Sequence, residues 1–477
     1  MGLFMDILQK ILIYAYSFIL ALLPTQKYVE GMLGQPRSFL PSQVKTQTER
    51  TVSSLIYRGL FKYDIYGVTQ PDLAETWSVS PDGLTYTIKI KENQRWNNGK
   101  KITADDLIYT SYKVSDLSGV ATDKVNDLTV RYTLPNKYAP FLSLLTVGVM
   151  PINAEEKMDP LRPISSADFR VVGIEKTGKL IKQVVLATTN DSYKIKKIIF
   201  RFYSNEDELV TAGKLGEIDS FISTENITME NFSDYRFPLQ GIYYALFFNL
   251  RNDKFKEEML RQKMEKVLPI KDLIVDRGIQ VQGPISRSVF TDAALVFDKY
   301  DNKFADELIN QDVTITIPDI QSHTDLAGQI KNYWEDKLGV NVSINKVDPE
   351  KLISQVIGPR NFEILLYGQE VGRDPDRYVL WHSAQKDLPG LNITGFDQVR
   401  ADRALEEGRN EPDSDKRIVH YNEFQKVINE QTPAIFLYHP YVYYYVSKYI
   451  SGVGEKYTFT YADRYLDLNN WKRVNTN

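Results

Sequence analysis

The chain of 477 residues contains no cysteine and only four histidines. The absence of cysteine excludes disulfide bonds, thiolate metal ligands and cysteine nucleophiles. The histidines lie far apart in the sequence, and no two have the helical spacing of a zinc-ligand pair. These histidines are His323, His382, His420 and His439. We therefore expect no metal site and no cofactor.

The sequence motifs of several enzyme classes are also missing. The chain has no G-x-S-x-G, H-E-x-x-H, G-x-x-x-x-G-K or G-x-G-x-x-G pattern. These motifs mark serine hydrolases, zinc proteases, P-loop proteins and dinucleotide-binding proteins. A formal net charge of −4 gives no large basic field, which disfavours nucleic acid as a partner. We therefore expect neither catalytic residues nor a nucleic-acid partner.

Tyrosine is abundant, with 30 Tyr against 5 Trp. A tyrosine ring has a flat apolar face and a polar tip, which suits recognition surfaces. For any single tyrosine, packing in the core is the simpler interpretation. The length is sufficient for about three compact units, and the apolar fraction of 43% is typical of a globular chain.

The first 26 residues contain the longest apolar run of the chain. Lys10 precedes the run Ile11 to Leu23, whose thirteen residues suit a signal peptide and are short for a membrane span. No small-x-small cleavage pattern follows, because Leu22, Leu23 and Pro24 come directly after Ala21. We expect residues 1–26 to be an export signal or an uncleaved membrane anchor, and the remainder to lie outside the cytoplasmic membrane.

Residues 313–368 alternate between strand and helix patterns. "VTITIP", "VNVSI" and "FEILLYG" read as strands, residues 323–338 as a helix, and Asp348 with Pro349 as the start of a second helix. This alternation predicts right-handed crossovers and a parallel sheet. Ligands of open α/β sheets bind beyond the carboxyl ends of the strands. The next loop, "YGQEVGRDPDRYVLWHS" at 367–383, therefore has the position of a binding site.

Three carboxylates in this loop have different predicted roles. Asp374 and Asp376 flank Pro375, which favours an extended backbone and divergent side chains, so a glycosidase-like pair is disfavoured. Asp376 is expected to cap a short helix at 377–381, whereas Asp374 is either a cap or a ligand contact. Glu370 follows the strand directly, where it could meet a ligand ammonium group or pair with a neighbouring arginine.

Nine segments, taken in order, resemble the bacterial extracellular solute-binding proteins of family 5, the peptide-, dipeptide- and nickel-binding receptors of ABC importers. They span about residues 28–450. The segments are "LIYRGLFKYD", "PDLAETWSVSPDGLTYTIKIKENQRWNNGKKITADDLIYT", "YSNEDELVTAGKLGEIDSF", "YYALFFNL", "LRQKMEKVLPIKDLI", "GPI", "FEILLYGQEVGRDPDRYVLWHSAQ", "NITGFD" and "QTPAIFLYH".

The resemblance implies an α/β, two-lobed periplasmic-binding-protein-like fold of type II. Mixed sheets flanked by helices would enclose a ligand cleft between lobes that close by a hinge motion. The expected boundaries are 27–248 for lobe 1, with an inserted subdomain at about 50–165, 249–438 for lobe 2, and 439–477 for the return to lobe 1.

The resemblance also implies site residues. In peptide-binding members an acidic residue just before the Asp-Pro element holds the terminal amine of the peptide, and here that role falls to Glu370 or Asp374. The position four before Pro375, where an acid is expected, is Val371. The expected contacts are Gln369, Glu370, Asp374, Trp381, His382 and Asn392 in lobe 2, with Tyr244, Arg37 and Phe39 in lobe 1.

The leading hypothesis is an extracytoplasmic binding protein that captures an oligopeptide or similar small solute and delivers it to ABC permease subunits. Two departures from the family disfavour standard peptide import: "ISSADFRVV" at 164–172 replaces a glycine-rich stretch, and the usual lipid-bearing cysteine is absent. The first departure, together with an uncleaved anchor, favours an alternative. The alternative is a membrane-anchored chaperone, sensor or surface interaction module without a transport role. An acid hydrolase that uses Glu370 and Asp374 is the third hypothesis.

Overall fold

The computed structural model describes residues 26–285, 299–301 and 311–474. The expected signal or anchor segment, 1–26, lies outside the described residues except for its last position. In the described ranges no helix is both long enough and apolar enough to cross a membrane.

The described residues form two compact units. One unit comprises the chain up to Lys137, Phe141–Phe237 and Val442 onward, and the other comprises Tyr138–Pro140 and Pro238–Tyr441. The sequence-based boundaries between lobes were 248/249 and 438/439. The inserted subdomain at about 50–165 stays a prediction.

The main sheet of the first unit is built around the strand Lys27–Leu33. This strand pairs in parallel with Lys197–Tyr203 and Ser220–Ser223. Lys197–Tyr203 continues antiparallel to Leu180–Ala187, which in turn pairs with Arg170–Thr177. Five consecutive residues of Lys27–Leu33 are buried, as expected for a strand covered on both faces.

A second sheet of the first unit is antiparallel. Its four strands are, in spatial order, Ala74–Val79, Thr85–Ile90, Thr129–Thr133 and Ala121–Asn126. In Thr85–Ile90 every second side chain is buried, as the alternation of Tyr86, Ile88 and Ile90 with polar residues in the sequence predicts.

The other elements of the first unit are shorter. Its helices and helical turns are Gln47–Ile56, Ala104–Lys113, Ser115–Leu117, Phe141–Leu144, Ala154–Lys157, Glu206–Lys214, Tyr461–Tyr465 and Leu468–Asn470. Its further strands are Phe61–Tyr63, Thr69–Pro71, Phe232–Pro238, Ile450–Ser451 and Lys472–Arg473.

The sheet of the second unit contains the predicted parallel core. Asp312–Pro318 pairs in parallel with Asn341–Val347 and, over two residues, with Ile364–Glu370. Ile364–Glu370 then pairs antiparallel with Ile242–Phe248. The prediction of parallel strands joined by crossovers is thereby confirmed.

Two further strands and a set of helices complete the second unit. Ala434–Ser447 starts beside Ile242–Phe248 and continues into the first unit, and Gly278–Gln280 pairs with it. The helices and helical turns are Asp253–Phe255, Glu258–Lys266, Ile270–Leu273, Gln321–Leu338, Pro349–Lys351, Ile353–Ile357, Tyr378–Trp381, Ser383–Gln385, Val399–Asn410 and Ser414–Gln431.

The helix Gln321–Leu338 packs its apolar face into the core of the second unit. Trp334 is fully buried on this face, and its indole Nε1 donates to the carbonyl oxygen of Met264 at 2.9 Å. The helix ends at Gly339, whose φ of 63° is the left-handed conformation that the sequence predicts for a helix stop.

The second predicted helix of this region differs from the expectation. The Asp348 carboxylate does accept a hydrogen bond from the backbone N–H of Glu350, so the predicted cap is present. However, the segment forms only the 3₁₀ turn Pro349–Lys351, followed by the five-residue π-helical turn Ile353–Ile357. The cap therefore starts a short, irregular crossover rather than a regular helix.

His323 should make the stability of the protein depend on pH. Burial and the charge of Arg277 lower its pKa to about 4, and the imidazole lies in the first turn of Gln321–Leu338, where the helix dipole disfavours a cation. The unfolded chain, with a pKa of about 6.5, binds a proton that the folded chain rejects. Stability should therefore fall as the pH decreases from about 6.5 to 4, by up to about 3 kcal/mol.

Urea unfolding from pH 7 to pH 4 would measure this effect. The variant His323→Phe keeps an aromatic ring beside Tyr244, whose ring centroid lies 5.2 Å from that of His323. The free energy of unfolding of the variant should decline less steeply than that of the natural protein over this interval. Parallel curves for the two proteins would contradict the prediction.

Candidate functional site

The strand Ile364–Glu370 has two different halves. Its first residues lie between Asp312–Pro318 and Ile242–Phe248, but the pairing with Asp312–Pro318 ends at Leu365. The physical reason is Pro318, which lacks the N–H that would continue the ladder. In the described part of the chain, the second half of the strand thus has a strand neighbour on one side only.

The register shows which backbone groups of Ile364–Glu370 point away from Ile242–Phe248. Val371 N–H donates to the carbonyl oxygen of Gly241 at 2.9 Å, and Asn249 N–H donates to that of Glu363 at 2.9 Å. Odd-numbered residues of this strand therefore bond to Ile242–Phe248. The N–H and C=O of Gly368 point to the opposite edge, which has no strand neighbour among the described residues.

Glu370 and Gln369 lie at the carboxyl end of this strand. The Glu370 side chain is exposed, and its charge, together with burial as the larger cause, raises the pKa of Tyr367. Gln369 is half-buried, and its Nε2 donates to the carbonyl oxygen of Glu370 at 3.1 Å. The Glu370 carboxylate therefore lies at the end of the strand edge that contains Gly368.

Asp374 is bound within the protein. Its two carboxylate oxygens accept hydrogen bonds from Arg417, at 2.9 Å from Nη1 and 2.7 Å from Nη2. Both side chains are largely buried. Burial alone would lower the pKa of Arg417, but the Asp374 carboxylate raises it above its ordinary value. This geometry is that of a structural ion pair.

Asp376 has the predicted capping role. Its Oδ1 accepts the backbone N–H of Tyr378 at 3.0 Å, and the short helix Tyr378–Trp381 follows. Its Oδ2 accepts two hydrogen bonds from Arg409, at 3.0 and 2.8 Å. The two aspartates therefore bind different arginines, which gives no support to a shared catalytic cleft.

Arg377, one of the arginines that neighbour Glu370 in the sequence, points into the protein instead. It is 1% exposed, and its Nε donates to the carbonyl oxygen of Pro284 at 2.8 Å. Its Nη1 donates to the carbonyl oxygens of Asp374 and Asp376. Burial lowers its pKa. The hydrogen bonds of the Arg377 side chain stabilise the turn around Pro375.

Trp381 and His382 have protein partners. Trp381 is 2% exposed, and its ring packs against Phe247, Phe396 and Phe436. His382 Nδ1 accepts the backbone N–H of Ala384 at 3.0 Å, and its Nε2 lies 3.1 Å from Glu406. Both polar ends of the imidazole are therefore engaged.

Asn392 is fully buried and fixes the loop that follows Trp381. Its Nδ2 donates to three carbonyl oxygens, and its Oδ1 accepts from Thr394 and two backbone N–H groups. Both N–H groups and both lone pairs of the side chain are therefore engaged, some of them in shared hydrogen bonds. The ligand contacts expected for Trp381, His382 and Asn392 stay predictions, whereas their packing roles are visible.

The three weaker candidates lie elsewhere. Tyr244 was expected in the first lobe but belongs to the second unit, because its strand pairs with Ile364–Glu370; its ring stacks on Tyr438 at 5.0 Å. Arg37 has an exposed side chain, and its backbone N–H donates to Glu49 at 2.7 Å. Phe39 is completely buried. The ligand roles of these residues also stay predictions.

The part of the chain that the structure describes contains no group of three His, Cys, Asp or Glu side chains that could hold a metal ion. Sequence reasoning missed the arginines that bind the loop. Arg417 is 43 residues from Asp374, and no local pattern links the two.

Comparison with known proteins identifies the family. Residues 68–387 match the model of the bacterial extracellular solute-binding proteins, family 5 Middle. The chain belongs to this family. Proteins of this family are extracellular and bind solutes. The resemblance seen in the sequence is thereby confirmed.

Two curated relatives are similar to this chain over most of its length. The oligopeptide-binding protein AppA of Bacillus subtilis is 23% identical over 473 residues, 86% of each chain. The dipeptide-binding protein of Escherichia coli is 21% identical over 492 residues, 88% of this chain and 90% of its own.

Two solved structures establish the fold. The ABC transporter substrate-binding protein CtaP from Listeria monocytogenes superposes with a TM-score of 0.78 at 20% identity, covering 94% of this chain and 99% of its own. AppA from Bacillus subtilis, solved with a nonapeptide, gives 0.72 at 20% identity, covering 95% and 100%. The expected type II α/β binding-protein fold is confirmed.

Proposed function

We propose that this family-5 protein binds a short peptide outside the cytoplasmic membrane and delivers it to the permease subunits of an ABC importer. The supporting observation is the strand edge at Gly368, which ends at the exposed carboxylate of Glu370. The names of the relatives, oligopeptide- and dipeptide-binding proteins, point to the same ligand class.

The strand edge suits an extended peptide backbone. A peptide that adds to a sheet edge is held by main-chain hydrogen bonds, so its side chains contribute little to affinity at those positions. Such a site accepts peptides of varied sequence.

Glu370 is the residue that we assign to the terminal amine of the peptide. An ammonium group donates three hydrogen bonds and needs an anionic acceptor at the end of the paired segment. Asp374 is the weaker choice, because its side chain is largely buried in an ion pair with Arg417, whereas Glu370 is exposed. Our proposal therefore favours Glu370 over Asp374, the two candidates that the sequence left open.

We expect Glu370→Gln to lower the affinity for a tripeptide by about ten- to a hundredfold, the effect of one charge-assisted hydrogen bond. Asp374→Asn should instead lower the free energy of unfolding by about 3 kcal/mol, because Arg417 loses its counter-charge. Calorimetric titration and urea unfolding would measure the two effects. Glu350→Gln, which removes an exposed charge elsewhere in the second unit, is the matched control and should change neither quantity.

An acetylated peptide tests the assignment directly. The natural protein should bind it about as weakly as Glu370→Gln binds the free peptide, and the variant should bind the acetylated and free forms equally. Equal binding of both forms by the natural protein would refute the role of Glu370. Absence of any peptide binding, with a folded protein, would refute the proposed function.

We further propose that residues 1–26 export the protein and keep it at the outer face of the cytoplasmic membrane. The support is the apolar run after Lys10 and the lack of a small-x-small cleavage pattern. Membrane fractionation of the full chain, compared with a chain from which residues 2–26 are deleted, would test this assignment.

A further inference from the structure

The first unit contains a cavity of about 320 Å3 at the carboxyl ends of two parallel strands. Lys27–Leu33 and Ser220–Ser223 form its floor, and the helices Gln47–Ile56 and Glu206–Lys214 border it. Small-molecule sites typically measure about 300–1,000 Å3 and favour this position in α/β sheets. All residues that line the cavity belong to the first unit.

The two charged residues at the floor of the cavity, Glu30 and Arg464, neutralise each other. Glu30 and Arg464 are 1% and 2% exposed, and Arg464 Nε donates to Glu30 Oε1 at 3.0 Å. Burial opposes the charge of Arg464, but the Glu30 carboxylate raises its pKa above the ordinary value. The remaining donors to Glu30 are the hydroxyl groups of Tyr28, Tyr444, Tyr465 and Ser220. This pair is fully engaged and offers a ligand no net charge.

Glu206 supplies the uncompensated charge of the lining. Its carboxylate accepts a hydrogen bond from the Ser223 hydroxyl, which leaves further acceptor positions on the two oxygens. Among the described residues that line the cavity, the other charged side chains are the paired Glu30 and Arg464. The net charge of the lining is therefore negative.

A buried hydroxyl group in the same lining lacks a partner. Thr51 is 1% exposed, and its Oγ1 has no hydrogen-bond partner in the described part of the protein. An unsatisfied buried hydroxyl costs about 1–3 kcal/mol, a cost that a bound ligand with a donor group relieves. The wall is otherwise rich in apolar side chains, including Met32, Leu209 and Ile222.

The helix ends beside the cavity do not favour an anion. At Gln47–Ile56 the carboxylate of Glu49 already accepts the backbone N–H groups of Arg37, Lys45 and Thr46. The first turn of Glu206–Lys214 consists of three acidic residues. Negative charge is thus already present at both positive helix ends, and another anion would be repelled.

We propose that this cavity binds a small organic monoamine whose ammonium group meets Glu206 and whose apolar body packs against Leu209 and Ile222. An ammonium group only donates hydrogen bonds, which matches a carboxylate and an unpartnered hydroxyl oxygen. The site extends the function of the protein beyond peptide capture. It does not depend on that proposal, because neither Gly368 nor Glu370 contributes to it.

Calorimetric titration of the full chain with three matched probes tests the charge requirement. The probes are 2-phenylethylamine, the neutral 2-phenylethanol and the anionic 3-phenylpropionate. We expect saturable 1:1 binding of the amine, binding of the alcohol about tenfold weaker, and no measurable binding of the carboxylate. Equal binding of amine and carboxylate, or no saturable binding of the amine, would overturn the proposal.

Substitutions locate the bound amine. Glu206→Gln should weaken amine binding about tenfold and leave alcohol binding unchanged, whereas Asp207→Asn, which removes an exposed charge from the next residue, should change amine affinity by less than twofold. Thr51→Val, nearly isosteric, should also weaken amine binding and provides the test if Glu206→Gln fails to fold. Glu370→Gln should leave amine binding unchanged. A loss with Glu370→Gln, or equal effects of Glu206→Gln and Asp207→Asn, would place the amine elsewhere and refute the assignment.

Discussion

Replacement of Arg464 by methionine should lower the free energy of unfolding by about 3–5 kcal/mol. The variant leaves the Glu30 carboxylate buried without its counter-charge, and that is the costly half of a broken buried ion pair. Four hydroxyl groups still donate to Glu30, but they carry no positive charge. Urea unfolding monitored by circular dichroism would measure the loss.

The double variant Glu30→Gln/Arg464→Met separates charge from packing. It removes both charges and keeps similar side-chain volumes, so it should recover at least half of the stability that Arg464→Met loses. A loss below about 1 kcal/mol in the single variant would contradict the description of the pair as a buried, mutually dependent unit.

The Glu30–Arg464 pair also shows why part of the molecule could not be predicted from the sequence. The two residues are 434 positions apart, and Glu30 lies in a run of otherwise apolar strand residues. Strand and helix patterns depend on neighbours within a few positions. The predictions for Thr85–Ile90 and for Gln321–Leu338 were therefore accurate. The pairing of Glu30 with Arg464 left no signal in the local sequence, because only the folded chain brings the two residues together.

The loop at 367–383 also combines features that local sequence predicts with one that it does not. Its position after a parallel strand and the capping role of Asp376 follow from local chemistry and were predicted. The ion pair of Asp374 with Arg417 was not predicted, because Arg417 lies on a helix that is distant in the sequence. The sequence could place the candidate site in the chain, but it could not show that the Asp374 side chain is largely buried against Arg417.

The strand register explains the departure at Val371. The expected position of the acid is occupied by a side chain that is 8% exposed, whereas the preceding residue, Glu370, is exposed. Consecutive side chains of a strand point to opposite faces, so a shift of one position reverses the direction of the carboxylate. With the role that we propose for Glu370, the ligand amine should approach from the opposite face to that expected for an acid at position 371.

Replacement of Trp381 by alanine should lower the free energy of unfolding by about 3–5 kcal/mol. The side chain is 2% exposed and contacts three phenylalanine rings with centroid distances of 5.9–6.2 Å, so its removal leaves a large cavity in the second unit. Urea unfolding would measure this loss. Trp381→Phe retains an aromatic ring and should lose less.

Trp381→Phe also separates a packing role from the ligand contact expected from the sequence. The indole Nε1 donates to the Tyr243 hydroxyl at 3.4 Å, a long hydrogen bond whose loss should cost little. If Trp381 stabilises the second unit without touching the ligand, the folded Trp381→Phe protein should bind a tripeptide within threefold of the natural protein. A tenfold loss of affinity with unchanged unfolding would instead make Trp381 a wall of the binding site.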